Sequence, residues 1–364
     1  MDSITQAVLG AGIQGAMLGR FQGRKALLVG AVLATLPDLD VLIRYADPVS
    51  GMIHHRGFSH SLIVLTALAA LLTLLWRRWR PSPHYSAGWL FLTLWLVLAT
   101  HPLLDAFTSY GTQLWWPLRP IPTSWSSIFI IDPLFTVPLL IIVLAAAIMG
   151  NRPGLWRAMR WALAWCCIYL ALSVFGKLLI EHRVRQVLRQ DGTQIQAMFS
   201  TPEPFNIFLW RVVARTTDDH YVETIASLFD RKPPEHLRQP FNTDLVSTFS
   251  GSPQLTGLQW FTGNWLRYDA IGNKLVVTDL RMGLGTGLYS FRFLMATRTE
   301  PGAAWQAITP QYWPRERGLD KLGAVMRRVW WQDPPLPLEK WAANMTQERP
   351  VPRPLDHITI PPGR

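Results

Sequence analysis

Residues 54–61 read HHRGFSHS: three histidines, an arginine, two serines and a glycine in eight positions, directly ahead of the apolar run LIVLTALAALLTLLW. Neutral imidazole is a common ligand for zinc and acceptable to other transition metals, which makes His55 and His60 candidate ligands. Asp38 and Asp40 stand in LPDLD (36–40), where Pro37 weakens a helix by removing a backbone donor. Two residues apart, they would diverge on a continuous helix, so one is expected to bind while the other caps or orients. In ATHPLLDAFTSYG (99–111), His101 and Asp105 are four apart and share a helical face, although Pro102 is expected to bend or restart the helix between them.

The donor set is mixed nitrogen and oxygen, which suits a divalent metal, zinc first, with manganese or iron as alternatives, better than calcium. The expected ligands are Asp38, Asp40, His55, His60, His101 and Asp105. A metal with an open position acidifies its water to a pKa of about 7 and polarises a phosphoryl or carbonyl oxygen, so Asp38, His55 and Arg56 are the expected catalytic groups. Arg56 cannot bind metal; its planar fork suits a phosphate or carboxylate, or it snorkels to lipid heads. Ser59 reads as the N-cap of the following helix, with His60 and Ser61 in its first turn. Asp2, Gln6, His54, Ser59, Ser61 and Asp132 are the residues expected to orient ligands or water from behind.

These residues cluster at the ends of apolar segments. The chain has 364 residues, 49% of them hydrophobic, and the apolar windows fall before about residue 180, at 4–19, 26–42, 61–76, 88–99, 128–149 and 161–176. A bilayer core of about 30 Å takes about 20 helical residues, so the windows span only with their flanks, and about six transmembrane helices are expected. In the first, Ala7, Ala11, Gly15 and Gly19 form a small-residue stripe of the kind that lets membrane helices pack closely. The opening MDSIT has no basic residue, against a cleaved signal peptide. Basic residues concentrate in alternate connections: Arg20, Arg24 and Lys25, then Arg77, Arg78 and Arg80, then Arg152, Arg157 and Arg160. The charge rule makes these cytoplasmic and places the N-terminus, the Asp/His motifs and the C-terminal half on the periplasmic side.

The net charge of +11 is accounted for largely by these topology charges and by contact with anionic lipid; no nucleic-acid module is present, and nucleic acid is not expected as a partner. Cys166 and Cys167 are adjacent inside an apolar window and offer no disulfide framework. Phosphate-binding loops and a GxSxG elbow are absent. After residue 190 alternating β-formers take over, in FLWRVVA (208–214), HYVETIASLF (220–229), NKLVVTDLRM (273–282) and YSFRFLMA (289–296). The expected organisation is an α-helical multi-pass membrane domain at 1–180, a helical linker at 181–200, a soluble β-rich (α+β) domain at 201–332, and an extended Pro-rich tail at 333–364. Gly251, Gly257, Gly263 and Gly272 are expected to mark turns.

PDLD (37–40), HRGFSHSL (55–62), HPLLDAFTSYGTQLWWP (101–117) and the start MDSITQAVLG together resemble the YdjM-like, LexA-binding, inner-membrane-associated metal-dependent hydrolases of bacteria. The resemblance implies a multi-pass bacterial inner-membrane protein, classed as a hydrolase, whose matching Asp and His hold metal. Similar sequences carry His in a THA-type start where this chain has Gln6. The expectation is therefore a hydrolase at the periplasmic membrane surface, acting on a phosphoester or ester of lipid or envelope origin. A membrane metal-handling or transport protein and a non-enzymatic envelope scaffold are the alternatives.

Overall fold

In a computed structural model of the chain, residues 1–347 are described, apart from 151, 248, 250–251, 285–286 and 315–318. The apolar windows fold as α1 (Ser3–Gln22), α2 (Arg24–Thr35), α4 (Leu62–Trp79), α5 (Ala87–Ala106), α6 (Pro133–Met149) and α7 (Pro153–Gln190), with the short α3 (Pro48–His54) between α2 and α4. They pair as hairpins α1/α2, α4/α5 and α6/α7. The first is very tight: a Cβ on Gly10 would lie 2.3 Å from the Gly30 carbonyl oxygen, so only glycine permits the approach. Gly15 and Gly19 of the small-residue stripe close on Met159 and Trp156 of α7.

The hairpin turns share one end of the bundle, where Arg24 donates to the Ile148 carbonyl at 2.5 Å. At the other end the Thr5 and Thr136 hydroxyls meet at 2.8 Å and the Asp2 amide donates to the Ile130 carbonyl. Among the described residues, α4, α5 and α7 are long and apolar enough to cross a membrane, which is short of the six spans expected. The twelve residues of α2 rise only about 18 Å against a bilayer core of about 30 Å, and α6 has 17 residues. Buried Gln6 and Gln14 dilute the apolar character of α1.

The expected linker at 181–200 is helical only to Gln190, because α7 runs unbroken for 38 residues into the second half. There β1 (Ile195–Pro202), β2 (Leu209–Thr216), β3 (His220–Ser227) and β4 (Glu235–Pro240) form one antiparallel meander. After α8 (Pro253–Thr262), a second meander holds β5 (Leu266–Ile271), β6 (Lys274–Asp279), β7 (Arg292–Thr297) and β8 (Gln306–Tyr312). The four strand segments expected from alternation are β2, β3, β6 and β7. The last part of α7 packs on the first sheet through Ile180, Val184 and Leu188 against Trp210 and Val222. Val325 and Val329 of α9 (Leu319–Trp330) pack with Leu209 and Ile225, where Trp341 of α10 (Leu338–Ala343) joins them. The expected extended tail is thus helical at 338–343, and 348–364 lie outside the described residues.

Gly272 makes the β5–β6 hairpin turn with φ +56°, and Gly263 caps α8 with φ +60°. Gly257 marks no turn: it sits inside α8, where a Cβ would come 2.7 Å from Ile53 Cδ1. Gly251 lies outside the described residues. The contact at Gly257 docks the two halves: Val49, Met52 and Ile53 of α3 join Leu258 and Phe261 of α8 and Phe293 of β7 in one apolar cluster.

Candidate metal centre

The non-basic end of the bundle gathers the Asp and His motifs. Leu36 ends α2, and residues Pro37–Leu42 continue as a 3₁₀ turn instead of an α-helix, as Pro37 at its start favours. That turn separates the two aspartates in role. Asp38 enters a group with His60, His101 and Asp105 whose ligand atoms all lie within 4.8 Å of one another. His60 Nε2 is 3.3 Å from Asp105 Oδ2 and 3.6 Å from Asp38 Oδ1; His101 Nε2 is 3.3 Å from Asp38 Oδ1 and 3.5 Å from Asp105 Oδ2. Asp40 turns elsewhere. It accepts from His55 Nδ1 at 3.0 Å, from the Arg56 amide at 3.0 Å and from the Ser59 hydroxyl at 2.9 Å. Asp40 and His55, both expected as ligands, therefore stand outside the group: one carboxylate is consumed in holding the 55–60 loop.

Hydrogen bonding fixes the ring nitrogens. His101 Nδ1–H donates to the Ala34 carbonyl at 2.5 Å, since a carbonyl can only accept. Ser59 has one hydroxyl proton and gives it to Asp40, so at 2.9 Å it accepts from His60 Nδ1–H. Both neutral imidazoles thus present a bare Nε2 lone pair toward two carboxylates. His60 Nε2, His101 Nε2 and Asp105 Oδ2 are buried with no hydrogen-bond partner among the described residues. With both rings neutral, these four electron-rich atoms repel one another unless a proton on His60 or a metal cation occupies the middle. Two imidazole nitrogens and two carboxylate oxygens are a transition-metal donor set, so the residues present could hold a metal ion.

The titration tendencies follow the same geometry. Burial opposes charge on His60, but the Asp105 and Asp38 carboxylates outweigh it and hold its pKa above the ordinary imidazole value. Burial pushes the Asp38 carboxyl up, and the His101 and His60 rings beside it win, holding it well below the usual carboxylate range. Burial also raises Asp40, and the His55 hydrogen bond reverses this to a net lowering.

Around the group, Asp105 Oδ1 takes the Met1 amino group and Gln6 Nε2, the latter at 3.2 Å, and Gln6 Nε2 is also 3.2 Å from the His101 carbonyl. Arg56 Nε lies 3.2 Å from Asp105 Oδ2 and Arg56 Nη1 donates to Thr108 Oγ1, while its guanidinium carbon lies 4.8 Å from the Tyr110 ring centre. Arg56 is buried with φ +60°, a left-handed conformation uncommon outside glycine, held by its amide on Asp40 and its carbonyl on Gln113. Gly57 follows because a Cβ there would stand 3.0 Å from the His54 carbonyl.

Other expected positions serve the fold. Ser61, not Ser59, caps α4: its hydroxyl accepts from Val64 and donates to the Trp116 carbonyl, while Phe58–His60 form a separate 3₁₀ turn. Asp132 caps α6 through Leu134 and Phe135 and accepts from the Tyr169 hydroxyl at 2.8 Å; burial raises its pKa. Asp2 caps α1 at Thr5. His54 is exposed, stacked on Tyr45 and bonded to the Ser50 carbonyl. The helix α5 continues through Pro102, keeping His101 and Asp105 on one face. Thr108, Tyr110 and the Ala34 carbonyl escaped the sequence reading. The first two stand in the quoted ATHPLLDAFTSYG segment, but nothing in their type marks them, and a backbone carbonyl leaves no trace in residue type.

Beside the group lies a cavity of about 590 Å³ closed by both halves of the chain, touched by Asp40, His55 and Arg56 on one side and by Met282, Ser290 and Phe291 on the other. Tyr110 wedges between the halves, edge-on to Phe261 and Phe291, with its hydroxyl donating to the Met52 carbonyl.

Residues 1–180, which contain every one of these Asp and His positions, match the model of the family described as YdjM inner membrane protein. The helical half belongs to that family. The chain is 25% identical over 235 residues, 61% of its own length and 67% of the relative's, to "Uncharacterized protein YfhP" of Bacillus subtilis (strain 168). It is 37% identical over 97 residues, 25% of its own length, to "Inner membrane protein YbcI" of Escherichia coli (strain K12), spanning about half of that relative at 52%. No solved structure matches the chain. Family and apolar helices together indicate an inner-membrane protein.

Proposed function

We propose that this chain is a metal-dependent hydrolase working at the periplasmic surface of the inner membrane on a phosphoester or ester of lipid or envelope origin. The observation that carries the reading is the pair of bare Nε2 atoms on His60 and His101, fixed by Ser59 and the Ala34 carbonyl and aimed at Asp38 and Asp105. These four side chains would hold the ion, zinc in the first instance and manganese or iron otherwise. When bound, such an ion supplies Lewis acidity and a water acidified to a pKa of about 7. Asp38, with 24% of its side chain exposed, is the most open of the four.

His55 faces the cavity with Nδ1–H held by Asp40, leaving Nε2 free to accept a proton. Arg56 borders both Asp105 and the cavity and offers its guanidinium to an anionic group. The periplasmic orientation rests on the nine basic residues at the opposite ends of the hairpins. To test the activity, detergent-purified protein would be stripped with chelator, reloaded separately with zinc, manganese or iron, and screened against phosphoester and carboxylester lipids. Turnover restored by one metal and lost in His101→Ala supports the reading. Stoichiometric metal with no turnover on any of these lipids would instead favour metal handling.

A further inference from the structure

The cavity between the two halves has a polar end and an apolar body. Asp40, His55 and Arg56 stand at the polar end, and Val41, Ile43, Phe129, Ile130, Met282 and Phe291 supply much of the remaining wall. Its volume, about 590 Å³, lies within the roughly 300–1,000 Å³ typical of small-ligand sites. Its place in the chain is informative. Thr108 and Ser109 of the lining follow directly on α5, a membrane-crossing candidate, and Phe129 and Ile130 come just before the apolar α6. The cavity therefore sits at the level where the bundle meets the membrane surface.

Its rim is exposed and apolar in a way that water would penalise: Val41 is 72% exposed, Leu42 75% and Ile43 56%, on the same turn that carries Asp38 and Asp40. Leu39 and Ile131 are exposed apolar residues as well. A water-soluble substrate would need no such entrance. A lipid sliding out of the bilayer would remain in apolar contact from the rim to the cavity floor, while its phosphate or ester stayed at the membrane surface beside Arg56.

We infer that the cavity seats an acyl chain of a membrane lipid, entering between the 39–43 turn and the strand-lined half, with the lipid's polar group held at Arg56 and His55. What is then done to that lipid rests on the hydrolase reading above; the seat itself does not. The second sheet thereby acquires a role: its β6–β7 connection, through Met282 and Phe291, forms the wall that selects for a chain.

The test uses the full chain in vesicles of phosphatidylethanolamine and phosphatidylglycerol containing a trace of phospholipid with a photoreactive group at its chain end. After illumination, labelled peptides are mapped by mass spectrometry. The expected result is label on the segments around 41–52 and 282–291. It should be lost in Ile43→Asp, where the exposed side chain is no part of the core, and in Met282→Trp, which fills the cavity. It should be retained in His101→Ala, because His101 does not line the cavity. Label confined to the lipid-facing sides of α4, α5 and α7, unchanged by Ile43→Asp and Met282→Trp, would overturn the inference. Cavity label without turnover under any metal would uphold the seat and count only against the hydrolase reading.

Discussion

Buried charge is handled in opposite ways in the two halves of this molecule. In the strand-rich half, Arg328 is fully buried yet meets Asp230 through two hydrogen bonds of 2.6 and 2.8 Å and Glu235 through two of 2.8 Å. Arg211 likewise divides its donors among Glu223, the Tyr289 hydroxyl and the Leu280 carbonyl, tying the first sheet to the second. Each of these guanidiniums faces acceptors. In the helical half, Asp38, His60, His101 and Asp105 bring acceptors to face acceptors, with the ring protons already given away behind them. A balanced cluster explains itself as structure, whereas in the helical one only Asp105 meets cations of the chain, Arg56 and the Met1 amino group, and the space between the two Nε2 atoms remains open to a metal.

The contrast can be broken from either side. Arg328→Met leaves Asp230 and Glu235 buried without their cation and is expected to cost about 3–5 kcal/mol, read as a lowered unfolding midpoint with metal content unchanged. Ser59→Ala removes the acceptor that fixes the His60 tautomer, and metal affinity measured by competition with a chelator should fall about 10–100-fold.

Asp38→Asn sharpens the comparison further. It removes one carboxylate from the four-residue group, so the variant should lose metal. Because the His101 and His60 rings favour the ionised Asp38, its metal-free form should unfold earlier than metal-free wild type, read as a lowered unfolding midpoint near neutral pH. The smallest effect is expected for His54→Ala: this histidine is exposed, its ring stacks on Tyr45 and bonds to the Ser50 carbonyl away from the metal group, so stability should change by less than about 0.5 kcal/mol and metal content not at all.

Much of the site was legible because it depends on residue type and spacing. His101 and Asp105 share a face for the reason that i and i+4 always do, and the divergence of Asp38 from Asp40 followed from their spacing. The division of labour did not show. That Asp40 grips His55, the Arg56 amide and Ser59 while Asp38 joins the ligand group depends on a 3₁₀ turn and on a left-handed Arg56, neither of which has a periodic signature. The N-cap was misplaced by two residues because Ser59 and Ser61 are equally good caps, and the choice was made by Asp40 and Trp116, far away in sequence.

Apolar periodicity located the helices but could not give the number of spans, since length and composition qualify three of them. In the second half, alternation picked out β2, β3, β6 and β7. It missed β1, β4, β5 and β8: β4 and β8 are polar and largely exposed and lack an apolar face, while β5 carries Arg267 and Asp269 among its buried positions; it also missed the docking of α3 onto α8, which is a tertiary contact.

The central claim is that the acceptor cluster exists to hold a metal ion. Elemental mass spectrometry on detergent-purified protein never exposed to chelator, wild type beside a His60→Ala, His101→Ala double variant, tests it most directly. The account predicts stoichiometric divalent metal in the wild type and almost none in the variant, with both inserted in the membrane. Equal, negligible metal in the two would contradict it.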